Sequence, residues 1–358
     1  MWKHMTVRKD DGVRALGTLR EKQRQRAVGA VVGAAAGDAL GAPYEFLAPI
    51  ADSDDVEMTG GGILGWDAGE WTDDTAMAIV VLEAAAAQPD RDLRVSTPQD
   101  QIAREWYSWS LGTPDIGALT STVLRGALEH AREDDRFAPN AEDLRGAAAH
   151  AHDELPMVAG NGSLMRTYAA VLPSLRRDDR AAAETIETVC RLTHVHPDVT
   201  DACLLWGFAI RHAILTGDLD VRIGLGRLPS ERAALWEQRI AEAESAPPTA
   251  FRRNGWVVGA FQAAWSAIAT VLPIPPGKFA QRASFAQAVE GAVRSGNDTD
   301  TVACITGALI GAALGPKAVP NEWRRSLFGW PGYEVTELIA LAERAIGPEP
   351  EETARGES

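Results

Sequence analysis

Aromatic side chains are scarce in this chain, at 6% of residues, whereas glycine alone occurs 33 times. So few rings, with alanine and glycine used heavily, argue against a sheet rich in Val, Ile and Tyr and favour closely packed helices. Cysteine is nearly absent. The three thiols, Cys190, Cys203 and Cys304, are odd in number, fit no zinc spacing and fall in apolar stretches. That excludes a disulfide framework and leaves small buried hydrophobes in a reducing compartment. Positive charge is also short, 35 Lys and Arg against 50 Asp and Glu, for a net charge of -15. Such a chain repels nucleic acid and anionic membranes, so neither is an expected partner. Long apolar runs are missing too. The stretch 27–47 is interrupted by Asp38 and Glu45, and 301–314 is shorter than the roughly 20 residues a span needs. Residues 1–26 are mixed and basic with no apolar centre, unlike a secretory signal. A cytoplasmic location is expected.

Helical patterning fills the rest. Apolar periodicity predicts helices near 20–41, 73–88, 99–110, 117–132, 141–152, 163–176, 180–193, 198–216, 229–245, 255–271, 284–294, 300–314 and 334–346. No convincing alternating strand is present. The Pro- and Gly-bearing connections are short, which argues for one domain over 21–346, between a loosely ordered leader (1–20) and a disordered Pro- and Glu-rich tail (347–358). The segment 217–254 reads as an insert carrying an exposed charged helix. Two glycine stripes stand out, Gly29, Gly33, Gly37 and Gly41 early, and Gly307, Gly311 and Gly315 late. Each interior helical glycine costs about 1 kcal/mol relative to alanine. Close helix–helix approach is the natural compensation, with the two stripes facing each other or each packed on a different neighbour.

Carboxylates supply the chemical signal. Trp71-Thr72-Asp73-Asp74-Thr75 and Asn297-Asp298-Thr299-Asp300-Thr301 each precede a very apolar helix. Either alone reads as a helix cap. Together they suggest converging helix starts whose four carboxylates would repel one another unless cations neutralise them. Such an oxygen-rich set suits Mg²⁺ or Mn²⁺, and no His–Cys cluster points to zinc. Asp38 sits near the end of the first helix, against the helix dipole, and so needs a specific partner. Glu45 follows Pro43 on a turn. Gly160-Asn161-Gly162-Ser163 is a glycine-bearing turn opening a helix, a geometry that suits phosphate. His194 and His196, two of only seven histidines, flank a helix break. Asn254-Gly255-Trp256 starts another helix, with an indole that either stacks on a base or fills the core, core filling being the expected role.

Taken together, these landmarks resemble the ADP-ribosylglycohydrolase family, in the family's order and over roughly 25–325: Gly37-Asp38-Ala39-Leu40-Gly41 with Glu45, Trp71 to Thr75, Asn161 to Arg166, Thr193-His194, Asn254-Gly255-Trp256, and Asp298 to Thr301. The resemblance implies an all-α, compact orthogonal multi-helix bundle and two divalent cations, Mg²⁺ or Mn²⁺, held by Thr72, Asp73, Asp74, Asp298, Asp300 and Thr301. It implies Glu45, Asp73 and Asp298 as catalytic residues, and substrate contacts from Asn161, Gly162, Ser163, His194 and Trp256. Trp256 and Tyr168 stand where the family often has Tyr and Pro, which bears on substrate identity.

The implied activity is hydrolysis of the glycosidic bond at the distal ribose of an ADP-ribosylated protein or small molecule, ADP-ribosyl-arginine among them, by a monomer. Bound cations would also answer how so acidic a chain accepts a diphosphate. The alternative is a non-catalytic, metal-dependent ADP-ribose binder. Isoprenoid-diphosphate synthases also use acidic helices and Mg²⁺, but need a further Asp one turn after Asp73 and Asp74, where this chain has Met77.

Overall fold

The structure, a computed structural model, describes residues 19–348 apart from 49, 52 and 157. The expected leader and tail lie almost wholly outside the described residues.

The described chain is a single all-α domain. In order it runs α1 (Glu21–Gly41), α2 (Asp73–Ala86), α3 (Ser96–Ser110), α4 (Ala118–Glu133), α5 (Ala141–Glu154), α6 (Thr167–Ser174), α7 (Asp179–Cys190), α8 (Pro197–Thr216), α9 (Ser230–Ser245), α10 (Val257–Ala269), α11 (Lys278–Val293), α12 (Thr299–Leu314), α13 (Asn321–Ser326) and α14 (Val335–Ile346). A minimal antiparallel hairpin, β1 (Phe328–Gly329) and β2 (Tyr333–Glu334), precedes α14.

The glycine stripes do face each other. α1 and α12 make the most extensive contact of any two elements. A Cβ on Gly33 would collide with the Gly307 carbonyl, and one on Gly307 with that of Gly33. No side chain separates the two backbones at this point, which accounts for helical glycines that are otherwise costly. The stripe continues to Gly41, where a Cβ would strike the backbone of Asp300. The small residues thus bring the end of α1 onto the acidic start of α12. α1, α2 and α12 are buried nearly all round, as central helices are.

Several boundaries differ from the sequence reading. The helix expected from 163 begins only at Thr167, because 160–166 form a turn. α11 starts at Lys278, six residues early by the apolar pattern; its exposed first turns carry no apolar face to announce it. The segment 217–254 is better integrated than an exposed insert. Trp236 of α9 is fully buried, its indole donates to Asp201 at 2.9 Å, and Arg239 pairs with Asp198 at 2.9 Å. The three cysteines are free and buried, as expected. Among the described residues, no helix is long and apolar enough to cross a membrane.

Candidate active site

Three chain segments meet where α1 ends and α2 and α12 begin. Asp38, in the last turn of α1, is fully buried and aims across at α2. Its carboxylate accepts from the Thr72 N–H (2.9 Å), the Thr75 N–H (3.0 Å) and the Thr75 hydroxyl (2.6 Å). The partner that Asp38 required is therefore the open N-terminus of α2, whose first N–H groups lack helical acceptors. Thr72, which caps that helix by position, makes no capping bond of its own and is left to face the acids.

The hydroxyl of Thr72 lies 3.5 Å from Asp73 Oδ1, 3.3 Å from Asp74 Oδ2 and 3.5 Å from Asp300 Oδ2. The Thr301 hydroxyl lies 3.3 Å from Asp74 Oδ2. The two Asp/Thr motifs, more than 220 residues apart in the chain, thus interleave. Glu45 completes the group, with one oxygen each from Glu45, Asp298 and Asp300 within 4.8 Å of one another. Its turn is tied to α12 by a bond from the Phe46 N–H to the Asn297 carbonyl (2.7 Å). Both Phe46 (φ 54°) and Asn297 (φ 59°) are left-handed there. For phenylalanine that is strained backbone, of the kind concentrated at functional sites.

Burial and mutual repulsion raise these acids together. Burial, then Asp298 and Asp115, pushes Glu45 up to about 9. Burial, then Asp115 and Asp298, pushes Asp73 to about 8. Burial takes Asp38 to about 7 against its hydrogen bonds from Thr75 and Thr72. Asp74 and Asp300 are held well above the usual carboxylate range by the same burial and by neighbouring acids. The positive ends of α2 and α12 face the cluster, yet do not offset this. Asp74 Oδ1 is buried with no hydrogen-bond partner. Hard oxygen donors, an orphaned carboxylate oxygen and acids that cannot all ionise together form a set that fits divalent cations.

The expected substrate residues sit beside this group in different ways. The Asn161 amide donates to Asp298 Oδ2 and to the Asn254 carbonyl, both at 2.8 Å, so its side chain braces Asp298. Ser163 is buried, and its hydroxyl accepts from the Cys203 thiol (3.6 Å); what its turn offers outward is backbone. His194 is buried against that turn, its ring within 3.4–3.7 Å of where a Cβ on Gly160 or Gly162 would stand. Fully buried Arg166 donates to Thr193 Oγ1 (2.5 Å), which lies 2.7 Å from His194 Nδ1. Arg166 fills one acceptor position of that hydroxyl, and the Thr193–Nδ1 hydrogen bond fixes the orientation of the imidazole ring. Burial, then Arg166, holds His194 down to about 3, so the ring stays neutral. Trp256 corrects the expectation of core filling: it is 41% exposed, on a bridge to Gly160 at the same turn. Met77, where a synthase motif would need an acid, is fully buried and lies 3.8 Å from Arg166.

Two contributors were not among the expected site residues: Asp115, which had no sequence signal, and Arg166, which closes the Asn161 to Arg166 landmark but was given no role. Asp115, in the loop between α3 and α4, raises Asp73 and Glu45 and is itself raised to about 6, by burial and then by Asp38 and Asp298. A lone acid after Thr113-Pro114 looks like any loop residue. Arg166, stacked 4.5 Å from the centre of the Trp106 ring, is the buried cation nearest in role to a counter-charge, acting on Asp73 and Asp74.

Known proteins are similar to this chain over most of its length. The family model described as ADP-ribosylglycohydrolase matches residues 19–354. An ADP-ribosylarginine hydrolase, Tri1, of Serratia proteamaculans (strain 568) is 26% identical over 332 residues, covering 91% of this chain and 80% of that protein. The ADP-ribosyl-[dinitrogen reductase] glycohydrolase of Rhodospirillum rubrum is 29% identical over 308 residues, covering 84% and 90%. A solved structure named as an ADP-ribosylglycohydrolase-related protein complex superposes with a TM-score of 0.62 at 25% identity, over 92% of this chain and 99% of that one. The match spans both acidic helix starts, the Glu45 turn and the Asn161 turn between them, and on that footing the chain belongs to the ADP-ribosylglycohydrolase family of glycosidic-bond hydrolases.

Proposed function

We propose that this protein removes ADP-ribose from arginine side chains of modified proteins, using two divalent cations, Mg²⁺ or Mn²⁺, at the acidic centre. The observation that carries the reading is the meeting of Glu45, Asp298 and Asp300 within 4.8 Å, interleaved with the Thr72 and Thr301 hydroxyls. Thr72, Asp73, Asp74, Asp298, Asp300 and Thr301 would hold the cations, which supply charge to orient the distal ribose hydroxyls and activate water. The chain's own groups do the rest. Cleavage at the anomeric carbon builds positive charge, which the carboxylates of Asp73 and Asp298 stabilise. Glu45 is only half-buried and sits on a turn at the edge of the cluster, so it is the acid placed to hand a proton to the leaving group or to take one from water. The backbone of Gly162 and Ser163 receives the diphosphate, Asn161 keeps Asp298 in place, neutral His194 packs behind that turn, and half-exposed Trp256 offers a face to a base.

Two relatives whose names specify arginine or dinitrogen reductase favour a protein-borne arginine as acceptor. Asp115 fits that choice, since it adds negative charge where a guanidinium would leave. A binding-only role finds no support in those relatives. The buried, unbridged cysteines fit a cytoplasmic protein. The test is release of ADP-ribose from arginine-linked, serine-linked and base-linked substrates, each with Mg²⁺, with Mn²⁺ and with chelator. Release from the arginine linkage alone, abolished by chelator, is the expected pattern. Equal release with chelator would overturn the metal-centred reading.

A further inference from the structure

A cavity of about 410 Å³ lies beside the acidic centre rather than over it. Four tryptophans line it, Trp66, Trp71, Trp109 and Trp330, in a chain where aromatic residues are rare. The one ionisable side chain lining it is an acid, Glu70. It shares Thr72 with the acidic centre, and Thr113 and Pro114 on its rim lead directly into Asp115. It shares no residue with the Asn161–His194 side of the site.

The walls are held firmly. The Trp71 indole N–H donates to the Trp330 carbonyl at 3.0 Å, and the Trp71 backbone N–H to the Phe328 carbonyl at 3.0 Å. Gly69, at φ +90°, leaves no room for a side chain against Ser326. Trp66, Trp71 and Trp109 are buried, while Trp330 and Glu70 are half-buried at the opening.

Indole faces attract flat, weakly hydrated cations, and guanidinium is the side chain that suits them best. An acid at the opening strengthens that preference, and the lack of any basic lining residue makes the cavity poor for a diphosphate. We propose that this tryptophan-lined cavity is the acceptor subsite and receives the guanidinium-bearing side chain of the leaving arginine. The proposal rests on the arginine reading above and assigns the position of that acceptor.

The test pairs Trp330→Ala and Glu70→Gln with Trp330→Phe as the conservative control. The probes are ethylguanidine and ADP-ribose, titrated separately by calorimetry. Ethylguanidine is expected to bind the wild type saturably. Trp330→Ala should weaken it by about 5- to 30-fold, with recovery in Trp330→Phe. Glu70→Gln should weaken it by about 2- to 5-fold. ADP-ribose affinity should stay within about twofold in all three, and KM for an ADP-ribosyl-arginine peptide should rise in step with the ethylguanidine constant. The proposal is overturned if ethylguanidine fails to saturate the wild type, binds Trp330→Ala and Glu70→Gln as well as the wild type, or loses affinity only in parallel with ADP-ribose. A wild type that binds ethylguanidine at this cavity yet leaves the arginine linkage intact would refute the catalytic reading while upholding the cavity's ligand class.

Discussion

The two acidic helix starts look alike in sequence but are held by different means. At α2, the burden falls on one residue, Asp38, which takes three hydrogen bonds from Thr72 and Thr75 while fully buried. At α12, it is divided. Asp298 is braced by the Asn161 amide at 2.8 Å, its backbone N–H reaches Asn254 Oδ1 at 3.3 Å, and Gly41 packs on Asp300 from behind. A concentrated support should fail more completely than a distributed one.

That contrast orders the expected effects. Asp300→Ala removes a proposed ligand from the point where both starts meet, and kcat/KM should fall by more than about a hundredfold, beyond the usual loss from a supporting group. Next, Asp38→Ala strips α2 of its support. Apparent Mn²⁺ affinity should fall about 10- to 100-fold. Unfolding free energy should drop by about 1–3 kcal/mol for each buried donor left unpaired, read from denaturant melts. Asn161→Ala should cost about tenfold in metal affinity, with little change in melting, because Asn254 and the glycine contact remain. An Asn161→Ala defect larger than that of Asp38→Ala would reverse the comparison.

The smallest effect is in pH. Folded-state values of about 7 for Asp38, about 8 for Asp73 and about 9 for Glu45 lie above ordinary carboxylates, so the folded protein binds more protons than the unfolded chain. For chelator-treated protein, the cluster's own contribution to stability is therefore fullest near pH 4 and is lost as pH rises toward 9. Divalent cations replace those protons, so melts with Mn²⁺ should show a flatter slope. An identical slope with and without Mn²⁺ would contradict the cluster as the binding site.

Much of this was legible in the chain because its signals are local. Glycines four apart declare a close helix pair, and paired Asp/Thr runs before apolar helices declare two acidic starts. Asp38 announced a partner by sitting against a helix dipole, but which partner depended on α1 and α2 meeting in space. Asn161 was expected as a ligand contact, and its amide braces Asp298, which nothing in a turn motif reveals. Trp256 read as core and is half-exposed, because an aromatic at a helix start has no periodicity to fix its face. Asp115 and the tryptophan cavity were silent, assembled from single residues far apart in the chain, on loops and at the end of α3. The hairpin at 328–334 was too short to carry a strand pattern.

The central claim is that the starts of α2 and α12 share a pair of divalent ions. Anomalous diffraction from crystals grown with Mn²⁺ tests it directly. The account predicts two manganese peaks, within ligand distance of Thr72, Asp73, Asp74, Asp298, Asp300 and Thr301. Crystals that show no manganese there, from protein that still releases ADP-ribose in chelator, would contradict it.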